Sequence, residues 1–227
     1  MNRIARPSPN QDARPDGTPI DMLVLHYTGM TDAAVALSRL CDPAAKVSAH
    51  YTIDEDGAIY AHVPEDRRAW HAGVSFWAGE SNINSRAIGI ELVNPGHEFG
   101  YRPFAEAQIG ALITLCHGIL MRHAIASARV LGHSDVAPMR KTDPGELFPW
   151  ERLARAGIGL WPEKILSDLT ADALPRYGYD PGAAPDKLIL AFQRHFRPNE
   201  LTGLWDAECG ALLAGLLARL PRSDLSA

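Results

Sequence analysis

Residues 87–93 have the sequence Ala87-Ile88-Gly89-Ile90-Glu91-Leu92-Val93, an apolar stretch that contains one carboxylate. A short run of this kind is typical of a buried strand. Side chains alternate along a strand, so Glu91 shares a face with Gly89 and Val93. A carboxylate in such a place costs several kcal/mol if it is buried and unpaired. Glu91 is therefore either half of a structural salt bridge or a general acid or base that lines a cleft.

The stretches around this run alternate between strand and helix patterns. Met22–Leu25 and Arg129–Gly132 are further short apolar runs, and residues 104–123 carry apolar side chains at helical spacing. The Asp-Gly pair at the end of residues 54–57 separates two strand-like segments and predicts a hairpin. Together these patterns predict an α/β domain with a mixed central sheet flanked by helices. Residues 1–19, rich in proline and polar residues, predict an extended N-terminal arm without secondary structure.

The composition changes after Trp161-Pro162. Three helical stretches follow, over residues 169–177, 188–196 and from Asp206 onward, where Asp206 is a suitable N-cap. We therefore predict a catalytic domain over residues 20–162, a linker over 163–168 and a small three-helix domain over 169–222.

Composition excludes several classes of protein. The chain has 227 residues, of which 46% are hydrophobic, so it can form a folded core. It carries 22 Lys+Arg against 27 Asp+Glu, a formal net charge of −5, which argues against a nucleic-acid or anionic-membrane partner. No apolar run approaches the length of a transmembrane segment. The first ten residues lack the apolar core of a secretory signal. We therefore expect a cytoplasmic protein, or an envelope protein if a leader has been removed. The composition leaves the oligomeric state open.

The three cysteines, Cys41, Cys116 and Cys209, are far apart and form no CxxC pair. This set is not a disulfide framework or a cysteine zinc site, and we predict three small buried side chains. A cysteine hydrolase with Cys116 as nucleophile is a possible alternative. It is disfavoured because Cys116 lies on the apolar stripe of a helix, where a thiolate is unfavourable.

Two histidines end predicted strands. His26 follows Leu23-Val24-Leu25, and His133 follows the strand that ends at Gly132; Asp143 comes ten residues after His133. Two imidazoles and one carboxylate satisfy a zinc ion that keeps one open position for water. The alternatives are that a strand-end histidine simply bonds a backbone carbonyl, and that Lys141 is a solvated loop charge rather than an oxyanion stabiliser.

Taken together, five segments make the chain resemble the zinc-dependent N-acetylmuramoyl-L-alanine amidases of the amidase-2 (AmpD/AmiD-like) family. They are Leu23–Thr28, Val47–Tyr51, Arg68–Gly73, Ile88–Leu92 and Gly132–Gly145, in the family's order. In addition, Tyr177-Gly178-Tyr179 and Ala191–Pro198 resemble a small peptidoglycan-binding domain.

The resemblance implies a role for nine residues. It implies zinc binding by His26, His133 and Asp143, and catalysis by Glu91 and Lys141. It implies weaker substrate-binding assignments for Lys46, Trp70, His71 and Asn84, although Trp70 could equally belong to the core. Some relatives have a catalytic tyrosine before the histidine of Val47–His50, where this chain has Ala49.

The implied activity is hydrolysis of the amide between the lactyl group of N-acetylmuramic acid, or its 1,6-anhydro form, and L-alanine. The implied cofactor is zinc, and the implied partner is peptidoglycan or its muropeptides. The alternative is a module that binds peptidoglycan without cleaving it, as in relatives that have lost a zinc ligand. It is disfavoured because this chain has competent residues at all three ligand positions and both catalytic positions.

Overall fold

The computed structural model describes residues 3–220. A six-stranded sheet lies at its centre, with the spatial order β1-β5-β4-β7-β3-β8. All neighbouring strands are parallel except β4 and β5, so the sheet is mixed. The strands are β1 Ile4–Ala5, β3 Met22–Tyr27, β4 Tyr51–Ile53, β5 Ile59–Ala61, β7 Ala87–Leu92 and β8 Val130–Gly132, while β2 Gln11–Ala13 and β6 Arg67–Ala69 form a separate antiparallel pair.

Helices cover both faces of the sheet, as predicted. The α-helices are α1 Ala33–Cys41, α2 Ile83–Arg86, α3 Gly96–Phe99, α4 Glu106–Arg122, α5 His133–Val136, α6 Trp150–Arg155, α7 Pro185–Phe196 and α8 Ala207–Leu217, with 3-10 turns at Pro43–Ala45, Ser127–Arg129 and Ala171–Arg176. The β4–β5 hairpin has the predicted turn at Asp54–Gly57. None of the described helices is long and apolar enough to cross a membrane.

Strand alternation divides the core into two clusters. Leu23 and Leu25 of β3 face α4. Met22 and Val24 face the other side, where they join a cluster with Tyr179, Phe192 and other residues of the C-terminal helices. The C-terminal helices therefore complete the core on one face of the sheet. His26 follows the same alternation, so it lies on the face that these helices cover.

Three local predictions differ from the structure. Residues 1–19 contain two short strands, because Ile4 and Ala5 pair with the sheet edge and residues 11–13 pair with β6. The first C-terminal helix is shorter than the predicted 169–177 stretch and is a 3-10 helix over Ala171–Arg176. Cys41 is half-buried at the end of α1, whereas Cys116 and Cys209 are buried; all three thiols are free.

The segment predicted as a linker lies directly against α8. The Ile165 N–H donates to the Ala211 carbonyl at 3.0 Å. A Cβ on Gly215 would come within 1.8 Å of the Glu163 carbonyl oxygen, so the backbones touch at this glycine. The division into domains stays a prediction, and its end at residue 222 falls outside the described residues.

Candidate metal centre

Three parallel strands bring the candidate residues to one edge of the sheet. In the register of β3 and β7, His26 lies opposite Glu91. In the register of β3 and β8, Leu25 lies opposite Gly132, so His133 begins just beyond β8 beside His26. Glu91, His26 and His133 thus occupy the carboxyl ends of adjacent strands, where α/β folds place their sites.

Asp143 completes a compact group of donor atoms. His26 Nδ1 and His133 Nδ1 lie 2.9 Å apart, and each is 3.1 Å from Asp143 Oδ2. The backbone N–H of Ser134 donates to the Asp143 carbonyl at 2.8 Å, which holds the 140–143 loop against α5. These three buried side chains form the one His/Cys/Asp/Glu group in the described residues that is close enough to hold a metal ion.

The outer nitrogens of the two imidazoles have partners that orient the rings. His133 Nε2 donates to the Ala72 carbonyl at 3.0 Å, which leaves the lone pair on Nδ1. His26 Nε2 lies 3.1 Å from His71 Nδ1. Partners of this kind fix the tautomer of ligating histidines in metal sites.

The charge states also suit a cation. Burial and the neighbouring His133 lower the pKa of His26 to about 4, so this imidazole is neutral at pH 7. Burial opposes ionisation of Asp143, but the two histidines outweigh it and hold the pKa of the carboxyl far below its ordinary range. Ligands of a tetrahedral ion with bonds of about 2.0 Å lie about 3.3 Å apart, close to the observed spacing. The residues therefore fit a zinc ion.

Glu91 is placed for proton transfer. Its Oε2 is buried and has no hydrogen-bond partner among the described residues. Burial raises the pKa of Glu91 well above its ordinary value, the negative charge of Asp143 raises it further, and Lys141 opposes both. A carboxyl with a raised pKa and a free oxygen is a candidate for accepting a proton and returning it.

A cavity of about 360 Å³ opens above this group. Glu91, Lys141 and Trp70 line it, so Trp70 stands at the wall rather than within the core. Two basic residues that the sequence did not single out, Arg39 of α1 and Arg140, also line the cavity. Arg39 carries no distinguishing signal in its neighbourhood, and Arg140 lies inside the quoted Gly132–Gly145 segment.

The remaining predicted residues lie in different places. His71 lines the cavity and also contacts the candidate ligand His26. Asn84 lies outside the cavity lining, and its Oδ1 accepts the backbone N–H groups of His71 and Ala72 at 3.1 and 2.8 Å. Lys46 is exposed, adopts a left-handed φ of 50° and precedes the lining residue Val47.

Cys116 is unsuited to nucleophilic chemistry. It lies buried within α4, away from the cavity lining, and burial raises the pKa of its thiol far above the ordinary value. The alternative of a cysteine hydrolase therefore has no support in the described residues.

The sequence model of the N-acetylmuramoyl-L-alanine amidase family matches residues 16–146, more than half of the chain. The chain belongs to this family. N-acetylmuramoyl-L-alanine amidase AmiD of Escherichia coli is 39% identical over an alignment 232 positions long, and the alignment covers 88% of this chain and 83% of AmiD. The 1,6-anhydro-N-acetylmuramyl-L-alanine amidase AmpD of Enterobacter cloacae is 34% identical over 163 residues, covering 64% of this chain and 85% of AmpD.

Solved structures of two relatives contain muropeptides. AmiD in complex with anhydro-N-acetylmuramic acid-L-Ala-D-γ-Glu-L-Lys has a TM-score of 0.80 and 38% identity, with 90% of this chain and 91% of that chain covered. AmpDh3 of Pseudomonas aeruginosa in complex with anhydromuramic pentapeptide has a TM-score of 0.81 and 36% identity, with 92% and 96% covered. These similarities confirm the predicted mixed α/β fold and the enzyme class.

Proposed function

We propose that this chain is a zinc-dependent amidase that cleaves the bond between the lactyl carbonyl of N-acetylmuramic acid, or its 1,6-anhydro form, and L-alanine. The observation that carries the proposal is the triangle of His26, His133 and Asp143 donor atoms beside Glu91, whose Oε2 has no hydrogen-bond partner within residues 3–220. The relatives with bound anhydro-muropeptides support the choice of substrate.

His26, His133 and Asp143 would hold the ion. When bound, zinc supplies a Lewis acid and lowers the pKa of a coordinated water toward ~7. Imidazoles bind zinc as neutral ligands, so two of them and a single carboxylate would leave the site a net positive charge, which suits a developing oxyanion. Their burial and the partners of His26 Nε2 and His133 Nε2 keep the donor atoms fixed.

Glu91 is the proposed general base and acid. Its unpartnered Oε2 accepts a proton from the attacking water, and the same oxygen then protonates the amine of L-alanine as the amide bond breaks. Lys141 lines the same cavity, and its ammonium would stabilise the oxyanion of the tetrahedral intermediate. No tyrosine assists at position 49, where this chain has alanine, so Glu91 performs both proton transfers.

Basic side chains on one side of the cavity suit the stem peptide. Arg39 lines the cavity from α1, and Lys46 lies at the start of the neighbouring Val47–Ser48 wall. Both are exposed cations, whereas the stem peptide carries carboxylates. Arg140 instead stabilises the cavity wall, because its Nε donates to the Val74 carbonyl at 2.9 Å and its Nη2 donates to the Ala72 carbonyl.

The C-terminal helices are proposed to bind peptidoglycan at a second place, a role based on the resemblance of Tyr177–Tyr179 and Ala191–Pro198. A second weak contact would raise the local concentration of substrate. To test it, the Glu91→Gln protein is sedimented with sacculi while a saturating soluble anhydro-muropeptide fills the catalytic cavity. Binding that persists under saturation supports a second contact, whereas complete release contradicts it.

The activity is tested by incubating the protein with intact sacculi and, separately, with a 1,6-anhydro-muropeptide, each with and without a zinc chelator. Mass spectrometry then measures free stem peptide that begins with L-alanine. Release that the chelator abolishes is the expected result, and the preferred substrate distinguishes wall turnover from recycling. Absence of release by a zinc-loaded sample would contradict the proposal and favour the binding module.

A further inference from the structure

Asp135 is a buried carboxylate two residues after the ligand His133, and its side chain faces the C-terminal helices. Its Oδ2 accepts the N–H of Gly132 at 2.7 Å, at the start of α5. The Tyr179 hydroxyl donates to Oδ1 at 2.8 Å, and His195 Nδ1 donates to Oδ2 at 2.7 Å. Two of its three donors therefore come from the segment that follows the predicted domain boundary.

The helix that Asp135 caps carries or contacts two of the three metal ligands. His133 is the first residue of α5. The next residue, Ser134, donates its N–H to the Asp143 carbonyl at 2.8 Å. α5 has only four residues, and one isolated turn is not stable by itself. Contacts from outside must therefore set its orientation, and any rotation of α5 moves both His133 and Asp143.

The two donors to Asp135 are themselves held by aromatic packing. Tyr179 is fully buried, and its ring contacts Trp77 edge to face at a centroid distance of 4.9 Å. The imidazole of His195 stacks between Trp150 and Phe196, at centroid distances of 3.8 and 3.9 Å. Neither donor can follow a displaced Asp135 without disturbing this packing.

We propose that Tyr179 and His195 are positioning residues of the metal centre, which act on His133 and Asp143 through Asp135. The C-terminal helices would then be part of the catalytic apparatus, whether or not they also bind peptidoglycan. This inference rests on the proposed metal site. Under this inference the C-terminal segment positions the metal ligands, and that role is separate from binding the cell wall.

The test compares two tyrosines of the same cluster. Tyr179→Phe removes the hydroxyl that donates to Asp135 and keeps the ring. Tyr177→Phe is the matched control, because Tyr177 is also buried against Trp77 but its hydroxyl makes no hydrogen bond within the described residues. Zinc affinity is measured by chelator competition well below the unfolding temperature of each full-length protein. The visible spectrum of the cobalt-substituted protein reports the ligand geometry.

We expect Tyr179→Phe to weaken zinc binding about tenfold and to change the cobalt spectrum, since removal of outer partners of metal ligands typically costs 10–100-fold. Tyr177→Phe should leave both unchanged. Equal affinities for Tyr179→Phe and the wild type would overturn the inference. Equal losses in both variants would also overturn it, because they would indicate general loosening of the core.

A second pair keeps the test decisive if Tyr179→Phe does not fold. His195→Asn retains an N–H donor close to the position of Nδ1, whereas His195→Leu has none. The inference predicts tighter zinc binding for His195→Asn than for His195→Leu, and equal affinities would overturn it. A wild-type protein that binds no zinc would refute the proposed function together with this inference. A wild type that binds zinc and cleaves, with unaffected variants, would refute the inference alone.

Discussion

Gly89 leaves the space that the ring of His71 occupies over the sheet. A Cβ at position 89 would lie 2.4 to 2.7 Å from Cγ, Cδ2 and Nδ1 of that ring, whereas ordinary contacts begin near 3.4 Å. In Gly89→Ala the ring must therefore shift by about 1 Å, which takes the 3.1 Å contact between His71 Nδ1 and His26 Nε2 out of hydrogen-bond range. The partner that orients His26, a candidate metal ligand, is then lost.

The expected cost has two parts. Overpacking of this kind destabilises a protein by about 1–3 kcal/mol, which thermal unfolding of the metal-free protein would detect. Loss of the partner of His26 should weaken zinc binding about 10–100-fold in a chelator competition assay. Gly110→Ala is the control, because a Cβ there meets nothing within 4 Å and the residue lies in α4, where alanine favours the helix. Wild-type zinc affinity in Gly89→Ala would refute this reasoning.

Three further predictions concern the base, the pH dependence and the C-terminal helices. Glu91→Gln should lower kcat 10²–10⁴-fold while zinc content, measured by elemental analysis, stays unchanged; undiminished turnover would exclude Glu91 as the base. Burial opposes ionisation of Glu65, but hydrogen bonds from Arg122, Tyr51 and His123 outweigh it and lower its pKa to about 2. Since the folded pKa lies below the unfolded one, this stabilisation is present above about pH 4.5 and is lost as the pH falls toward 2. Urea unfolding should show Glu65→Gln about 2 kcal/mol less stable than the wild type at pH 6 and equal to it near pH 2; a constant difference would contradict this. Truncation after Pro162 should expose Met22 and Val24, which are fully buried, and lower the melting temperature by about 10 °C or more, whereas an unchanged melting temperature would show an independent domain.

The sequence could indicate the candidate metal site because two of its residues follow predicted strands that have strong local signals. The apolar runs before His26 and His133 and around Glu91 identify three buried strands, and parallel pairing brings their ends together. Asp143 and Lys141 lie in a loop that no strand pattern could place; spacing and ligand chemistry suggested them, and the family resemblance then implied their roles. The Asp-Gly turn and the long apolar stripe of α4 likewise depend on residues that are close in sequence.

The parts that could not be predicted depend on contacts between distant residues. The fit of His71 over Gly89 joins positions 18 apart, and the bonds of Tyr179 and His195 to Asp135 span 44 and 60 positions. No local pattern indicates which buried polar residue meets which partner.

The N-terminal arm shows the same difficulty. Arg14 donates to the carbonyls of Glu65, Asn84, Ser85 and Ala87, so a proline- and polar-rich segment that reads as a loose arm is attached through backbone acceptors. Backbone carbonyls occur at every position, so the order of side chains does not indicate which carbonyls will accept a hydrogen bond from Arg14.

The proposed activity depends most directly on a catalytic metal held by His26, His133 and Asp143. The measurement that tests it adds zinc stepwise to the metal-free protein and follows cleavage of a 1,6-anhydro-muropeptide at each step. We expect no cleavage without zinc, a linear rise in cleavage that ends at about one equivalent of zinc, and no recovery of cleavage in His133→Ala. Full cleavage by the metal-free protein, or recovery in His133→Ala at the same zinc concentration, would contradict it.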